Sequence, residues 1–440
     1  MKTTSKLAML FMMVATMSFV SCNGNQPGEE EENNNNTPAE TTQLTPEETK
    51  EKLMGVAQRL IGKFNTNDQK DAIELADGLY EKYENYSWSN IEDYFEGRYD
   101  AVFGLPRYAQ QVVRGKRVPT AIDHSYTFSF EGESVIFEAD DATRSWKNMG
   151  KASDNSIVLR FTDKNGTKCE AKTWGEGSTK TYQYSEEGRT VTAVLPRKTF
   201  FTLTQGKKEV IRIKFEQDME KNDHATFNVE AKVTNLSWTA DVNIKSTNGS
   251  AAYKFIYDKE TLISVAANLP SYTLIDKRDN QSYEDWLEQY EERYDELLKK
   301  IGAADAIVDI LSEVQMKVNI NNFGIAYRDY VKWADNYSSY SKIGCDKFCD
   351  IINGNQTNGI YYNSDVLQAE VRAQSAIDRW DDYYPEAVLY FPQDGTTYAI
   401  EEYFNRKPFT DLQYTIEDLA NAYIRLSKLL YDEVGTISLD

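Results

Sequence analysis

The feature that most constrains this chain is a change of hydrophobic period. From about Tyr126 to Leu274 apolar and polar residues alternate: Ile211, Ile213 and Phe215 are interleaved with Arg212, Lys214 and Glu216, and Phe227, Val229, Ala231 and Val233 with Asn228, Glu230, Lys232 and Thr234. A period of two sends successive side chains to opposite faces, so these runs read as strands with one wet face. Asn165-Gly166 and Asn248-Gly249 fall between such runs and give the strongest short hairpin signal. Further turns are expected at Gly175 to Ser178, Glu186 to Gly188 and Gln205-Gly206, with a longer connection from Glu216 to Thr226. Turns this closely spaced leave no room for crossover helices. The spacing therefore predicts an antiparallel meander of roughly eight to eleven strands.

Helical signals flank the strands. Thr45-Pro46-Glu47-Glu48 is a capping box with proline at the first helical position, and Leu53, Ala57, Leu60, Ile61 and Phe64 follow at helical spacing. A second helix is expected from about Asp68 through Ile73, Leu75 and Leu79 to Tyr83. Another capping box, Ser282 to Asp285, opens a helix with Trp286, Leu287, Tyr290, Tyr294, Leu297 and Leu298 along one side. Ala303 to Met316, Phe323 to Tyr340 and Val366 to Trp380 also read as helical, and Thr415 to Asp418 caps a last helix. Val388 to Phe391 and Thr396 to Ala399 make a short hairpin around Asp394-Gly395. The expected fold is α+β: a large antiparallel β meander over 121–276, N-terminal helices within 45–120, and a mainly helical C-terminal region over 277–440 with a hairpin near 387–399.

The N-terminus sets the location. Lys2 and Lys6 give a basic start, Leu7 to Val20 is apolar and uncharged, and Phe19-Val20-Ser21 precede Cys22. The apolar stretch is too short to span a bilayer and has the layout of a secretory signal. It resembles a bacterial lipoprotein signal peptide. That resemblance implies that residues 1–21 are removed and that Cys22 becomes an acylated N-terminus bearing chains such as palmitate, an attachment ample for stable anchoring. Residues 22–44, with Glu29 to Glu32 and Asn33 to Asn36, cannot bury enough apolar area to order themselves and read as a solvated tether.

Phe19 stands where leucine is commonest in such signals, a relaxation similar to that in lipoproteins of the Bacteroidetes. The acidic run resembles the export signal that sends those lipoproteins to the cell surface, although it begins several residues later. The stretch from Leu389 to Phe404, followed by a capped amphipathic segment, resembles the ending of uncharacterised Bacteroidetes surface lipoproteins. The resemblance implies an outer-membrane, lipid-anchored protein facing the cell exterior rather than the periplasm. It brings no activity with it.

Composition narrows the partners. Removing Lys2 and Lys6 leaves 47 basic against 70 acidic side chains, a net charge of −23. Nucleic acid and anionic membrane surfaces both require a basic face and are not expected partners. Only Cys22, Cys169, Cys345 and Cys349 are present, so stability must come from a core rather than from disulfides. Cys345 and Cys349, four apart, would share a helix face as buried thiols or one strained bridge; without nearby histidine they lack ligands for zinc.

The two histidines, His124 and His224, follow aspartates at the edges of expected strands and read as turn residues. Gly175-Glu-Gly177 lacks the Gly-Lys pair of a phosphate loop, and Asp163-Lys-Asn165-Gly166 lacks the distal glutamate of a calcium loop. No metal or cofactor is expected. Neighbouring acids such as Asp381-Asp382 and Glu401-Glu402 do not by themselves make a glycosidase, whose carboxyl groups must face each other across a cleft.

The unusual quantity is aromatic content, with 29 Tyr and 7 Trp. Such rings suit sugar stacking and protein interfaces. Aromatic residues cluster at Tyr83 to Tyr99 and at Tyr327 to Tyr340, and the second cluster, spaced along one helix face, is expected to pack on the sheet. Trp380, Tyr383 and Tyr384, beside Pro385, are the candidate ligand-binding residues. The expected function is a surface lipoprotein that binds a glycan or protein ligand without catalysis. Two other readings stay open: a glycan-acting hydrolase using paired carboxylates, and a carrier of a lipid or other apolar ligand in a helix-covered half-barrel.

Overall fold

The structure is a computed structural model and describes residues 42–63, 66–87, 125–129, 134–186, 189–220, 224–245, 247–271, 301–326, 341–412 and 414. Its core element is one large mixed sheet, of seventeen strands among the described residues. These are β1 (Ser125–Ser129), β2 (Val135–Asp140), β3 (Ser145–Gly150), β4 (Ser156–Thr162), β5 (Lys168–Glu186), β6 (Arg189–Gln205), β7 (Lys208–Glu220), β8 (His224–Val233) and β9 (Leu236–Lys245). The sheet continues through β10 (Gly249–Tyr257), β11 (Glu260–Leu269), β12 (Ala304–Ile310), β13 (Val314–Ile320), β14 (Gln356–Tyr361), β15 (Leu367–Ile377), β16 (Tyr383–Phe391) and β17 (Thr396–Ala399). The described helices include α1 (Pro46–Lys63), α2 (Thr66–Asn85), α3 (Lys342–Asn355) and α4 (Ile400–Phe404).

From β4 to β17 each strand pairs antiparallel with the next. Two pairs are parallel. β2 lies parallel to β4, with β3 hairpinned onto it at the edge. β1 runs parallel to the first half of β6, whose second half pairs with β7. The predicted alternation is realised across the ladder: Ile211 faces Val233 and Phe215 faces Val229, while Lys214 meets Glu230 at 2.9 Å on the opposite, wet face.

Turn chemistry sets the register. Asp163 begins the β4–β5 turn, its carboxylate accepting the N–H groups of Asn165 and Thr167, both at 2.8 Å. Gly166 supplies the positive φ of +80° that this turn needs.

The capping box at Thr45 forms as expected. The Glu48 carboxylate accepts the Thr45 N–H and hydroxyl, both at 2.8 Å, and the Glu48 N–H donates to the Thr45 hydroxyl at 3.3 Å. The apolar stripes of both helices then lie on the sheet, but in reverse strand order. The first turn of α1 meets the late strands: Tyr362 donates to the Thr49 carbonyl at 2.9 Å and Tyr403 to the Pro46 carbonyl at 2.6 Å. Its last turns reach Glu313 and Glu260, through Arg59 and Lys63. α2 goes on to the early strands, pairing Glu74 with Lys164 in the β4–β5 turn and Lys82 with Asp141 in the β2–β3 turn.

Two cores result. Leu53, Val56, Ala57 and Leu60 of α1 pack with Leu262, Val314, Ile360, Leu389, Phe391 and Tyr403. Ala72, Leu75, Ala76 and Leu79 of α2 pack with Phe137, Trp146, Ile157, Leu159, Leu203 and Ile211. Each Leu, Val, Ile or Phe among them contributes about 1.5–3 kcal/mol by leaving water.

Several expectations are corrected. Ala303 to Met316 is not a helix but the β12–β13 hairpin, and Val366 to Trp380 is largely β15. The sheet thus runs on to Ala399 instead of ending near 276, and in the described part of 277–440 strand exceeds helix. The pairing is mixed rather than purely antiparallel. Gly175 to Ser178 is a bulge inside β5, where the register against β6 shifts between Glu176 and Thr179 and Gly177 takes a φ of +88°. Most of the expected connection from Glu216 to Thr226 is paired strand, with Glu220 opposite His224. The expected helices over 282–298 and from 415 onward, the aromatic run 88–103 and residues 1–41 lie outside the described residues, as does most of 323–340.

Candidate functional site

The described surface carries a groove of about 910 Å³ between α2 and the β2–β3 and β4–β5 turns. One wall is the polar side of α2. Asp71, Glu74, Asp77, Glu81 and Asn85 recur every three or four residues, which stacks them on one face while Leu75 and Leu79 turn to the core. The other wall comprises Asp141, Arg144, Asp163, Lys164 and Asn165, with Gln205 from the end of β6. Phe161 reaches the groove from the core beneath.

Ion pairs tie the walls together. At one end Lys82 pairs with Asp141 and donates to the Tyr86 hydroxyl at 3.1 Å, and that hydroxyl donates to Asp141 at 2.6 Å. Lys82 and Arg144 stand 5.0 and 5.9 Å from the centre of the Tyr86 ring. The Trp146 indole N–H donates to the Lys82 carbonyl at 3.2 Å, and Ser87 bridges to Ser145, so the end of α2 is fixed to β3. Toward the middle Lys164 pairs with Glu74, and Asp163 accepts the Gln205 amide at 2.6 Å.

These partners hold the groove in its charged form. The bonds from Lys82 and Tyr86 keep the Asp141 carboxyl below the usual carboxylate range, and Lys164 does the same for Glu74. Burial opposes the charge on Lys82, but Asp141 and Tyr86 outweigh it and its pKa is raised. At Asp163 burial is likewise outweighed, by the bonds from Gln205, Thr167 and Asn165, and its carboxyl is lowered. Glu74 holds Lys164 above the ordinary lysine value. The groove is therefore a fixed array of acceptors and donors.

The sequence-predicted ligand residues lie elsewhere, at the tip of the β15–β16 hairpin. Trp380 is 61% exposed in the turn, with the Arg379 guanidinium 3.8 Å from its ring centre. Tyr383 and Tyr384 open β16 opposite Ile377 and Ala376, and both are half-buried. Burial, then the charges of Glu386, Glu401 and Asp378, raise the pKa of Tyr384. The three residues share the tip but form no concave site with the groove.

Cys345 and Cys349 are both buried free thiols on α3, and burial together with the neighbouring Cys345 pushes Cys349 up to about 12. His224 opens β8 between Glu220 and Lys245, and His124 lies outside the described residues. Among the described residues no group of three or more His, Cys, Asp or Glu is placed to hold a metal ion.

Sequence reasoning missed the groove. Its signal was present in the i, i+3 acidic face of α2, but the opposite wall comes from turns about 60 and 90 residues further on, which only the sheet brings near.

No family model and no curated protein matches the chain. Among solved structures, a porin-like protein from Bacteroides vulgatus is similar over 59% of this chain and 90% of that one, at 10% identity and a TM-score of 0.15, a score too low to carry an argument about fold or function.

Proposed function

We propose that this protein is a lipoprotein anchored in the outer membrane through acylated Cys22, facing the cell exterior, and that it binds a soluble polar ligand in the groove along α2. The resemblance of residues 1–22 to a lipoprotein signal supports the anchor, and the absence of a basic surplus argues against attachment by charge. One observation carries the binding reading: α2 and the β2–β3 and β4–β5 turns enclose a groove of about 910 Å³ lined by charged and amide side chains, several of whose carboxylates lie below and lysines above their ordinary pKa values. Proton transfer is most effective from a group that titrates near the working pH. Fixed charges recognise and hold a ligand instead. The polar lining likewise fits a hydrated ligand better than the lipid of the carrier reading.

The anchor is tested by replacing Cys22 with Ala and fractionating cells. Release of the chain from the membrane fraction, together with an acylated N-terminal peptide in the wild type by mass spectrometry, is the expected result. Protease treatment of intact cells decides the face, since a surface protein is cleaved while the membrane stays sealed.

The hydrolase reading keeps one observation in its favour. Glu401, an exposed residue on α4, is raised above the ordinary carboxylate value by partial burial and by Glu386, the direction that a general acid shares. Turnover of chromogenic glycosides that disappears in Glu401→Gln, with the fold intact by circular dichroism, would replace binding by catalysis.

A further inference from the structure

We propose that the tip of the β15–β16 hairpin, together with the first turn of α3, is a docking surface for a segment of another protein in which a large apolar side chain is flanked by lysine or arginine. This surface is separate from the α2 groove, and the proposal does not depend on what the groove binds.

The register of α3 on the sheet gathers apolar side chains at this corner. The Asn353 side chain donates to the Ala373 carbonyl and accepts the Ala373 N–H, both at 2.8 Å, which fixes the end of α3 on β15. From there the helix runs back toward the tip. Asp346 stands beside Ser375, and Lys342 near Tyr383, which is opposite Ile377 in the hairpin. Helix from Asn353 back to Ile343 and strand from Ala373 to Ile377 cover about 15 and 13 Å, so the two isoleucines come level. Ile343 is 83% exposed and Ile377 52%, with the exposed Trp380 in the turn just beyond. The other exposed large apolar side chains among the described residues, Met149, Ile307 and Tyr414, lie on none of these elements. Single exposed apolar residues need no explanation, but a concentration of them marks an interaction surface.

The turn holds its indole in a fixed pose. The Asp378 carboxylate accepts the N–H of Trp380 at 2.8 Å and that of Asp382 at 3.1 Å, and the Arg379 guanidinium lies against the ring. A tryptophan ordered in advance loses little freedom on binding, and tryptophan is among the residues that carry most of the energy at protein interfaces.

Charge selects the partner. Asp381 and Asp382, directly after Trp380, are exposed, and neither has a cationic partner among the described residues. Lys342 is taken up by Asp346 at 2.6 Å and Arg379 by the indole, so the rim is left acidic. Basic side chains on the partner complement that rim. A second copy of this chain would set the same aspartates against each other, and three side chains offer far less than the roughly 800 Å² a side of a stable dimer. A bilayer would strip water from both carboxylates without pairing them.

The experiment is selection of phage-displayed random dodecapeptides on the full mature chain, residues 22–440 with Cys22→Ala, which needs no detergent, followed by calorimetry with the synthetic winners. Enriched peptides are expected to carry a large apolar residue flanked by at least two lysines or arginines. Their affinity should fall at least about tenfold in Trp380→Ala, a change of an exposed side chain that leaves the melting temperature unaltered. It should also fall in the double variant Asp381→Lys, Asp382→Lys, and between about 50 and 500 mM NaCl, while Glu81→Arg in the groove has no effect. Winners without basic residues overturn the charge assignment. Binding that survives Trp380→Ala overturns the tip as the site, and so does a selection that enriches nothing. Binding to phosphatidylcholine vesicles that Trp380→Ala removes makes the tip a lipid contact and overturns the protein partner.

Discussion

Both helices that cross the sheet carry partly exposed ion pairs, Arg59–Glu313 and Lys63–Glu260 on α1 as well as those of α2, but their other joints differ. α1 is sealed by buried aromatic residues whose polar ends are consumed within the fold: Tyr403 and Tyr362 donate to its first-turn carbonyls, and the Lys50 ammonium lies 4.6 Å from the centre of the Tyr403 ring. Phe391, Tyr398, Tyr403, Phe404 and Phe409 pack ring to ring beside it. α2 rests on an equally apolar floor, yet its upper side is tied by exposed ion pairs across an open groove. Neutral buried hydrogen bonds make a closed structural joint. Charged pairs at the rim leave donors and acceptors exposed beside an open groove, which the first joint does not.

The sharpest way to break this comparison is Phe391→Ala, which empties a fully buried site in the α1 core and is expected to cost about 3–5 kcal/mol in urea unfolding. Hydrogen exchange should rise first in β14 to β17; an equal rise in β4 to β7 would show the two cores to be one cooperative unit. Tyr403→Phe keeps the ring and removes the donor to Pro46, leaving a buried carbonyl without that bond, and should cost about 1–3 kcal/mol.

At the rim of α2, Asp141→Asn should cost at most about 1 kcal/mol, because the Asp141 side chain is 52% exposed and water screens the pair. A larger loss would mean that the groove wall is as structural as the α1 joint.

The finest distinction is pH. Asp141 and Glu74 have lowered pKa values in the fold, so their stabilisation is fully present above the ordinary carboxylate value of about 4 and is lost as the pH falls toward their folded values. Tyr403 is shifted upward by burial and stays neutral throughout acid titration. Acid should therefore loosen the amides of α2 near Lys82 before those of α1, as read by hydrogen exchange while the pH falls below about 4.

The sequence was most legible where a local signal agreed with the tertiary outcome. The Thr45–Glu48 box and the Asn165-Gly166 turn are read from the residues themselves, because each is closed by bonds within a few positions. β12 was misread because Ala303, Ile307, Val308 and Leu311 also satisfy helical spacing. The turn that ends β12 is built on Leu311 and Ser312, both at φ +55°, residues that carry no turn signal in a sequence. β15 was misread because Ala, Gln, Glu and Arg favour helices, while pairing with β14 and β16 on its two edges overrides that preference. The groove was illegible for a related reason, since half of it belongs to turns whose positions depend on the completed sheet.

The place where the described chain begins has a mechanical consequence. Thr42, Gln43 and Leu44 are fastened to β15, through Gln368 at both ends of its amide and through the Leu367 carbonyl. Tension transmitted along the preceding segment would load these bonds and the Tyr403 and Tyr362 joints in shear before it reached any other part of the molecule. The whole length of α1, about 27 Å for its 18 residues, separates that stressed joint from the start of α2. A pull arriving through the anchor proposed at Cys22 would thus be absorbed at one end of the strap while the groove at the other kept its shape.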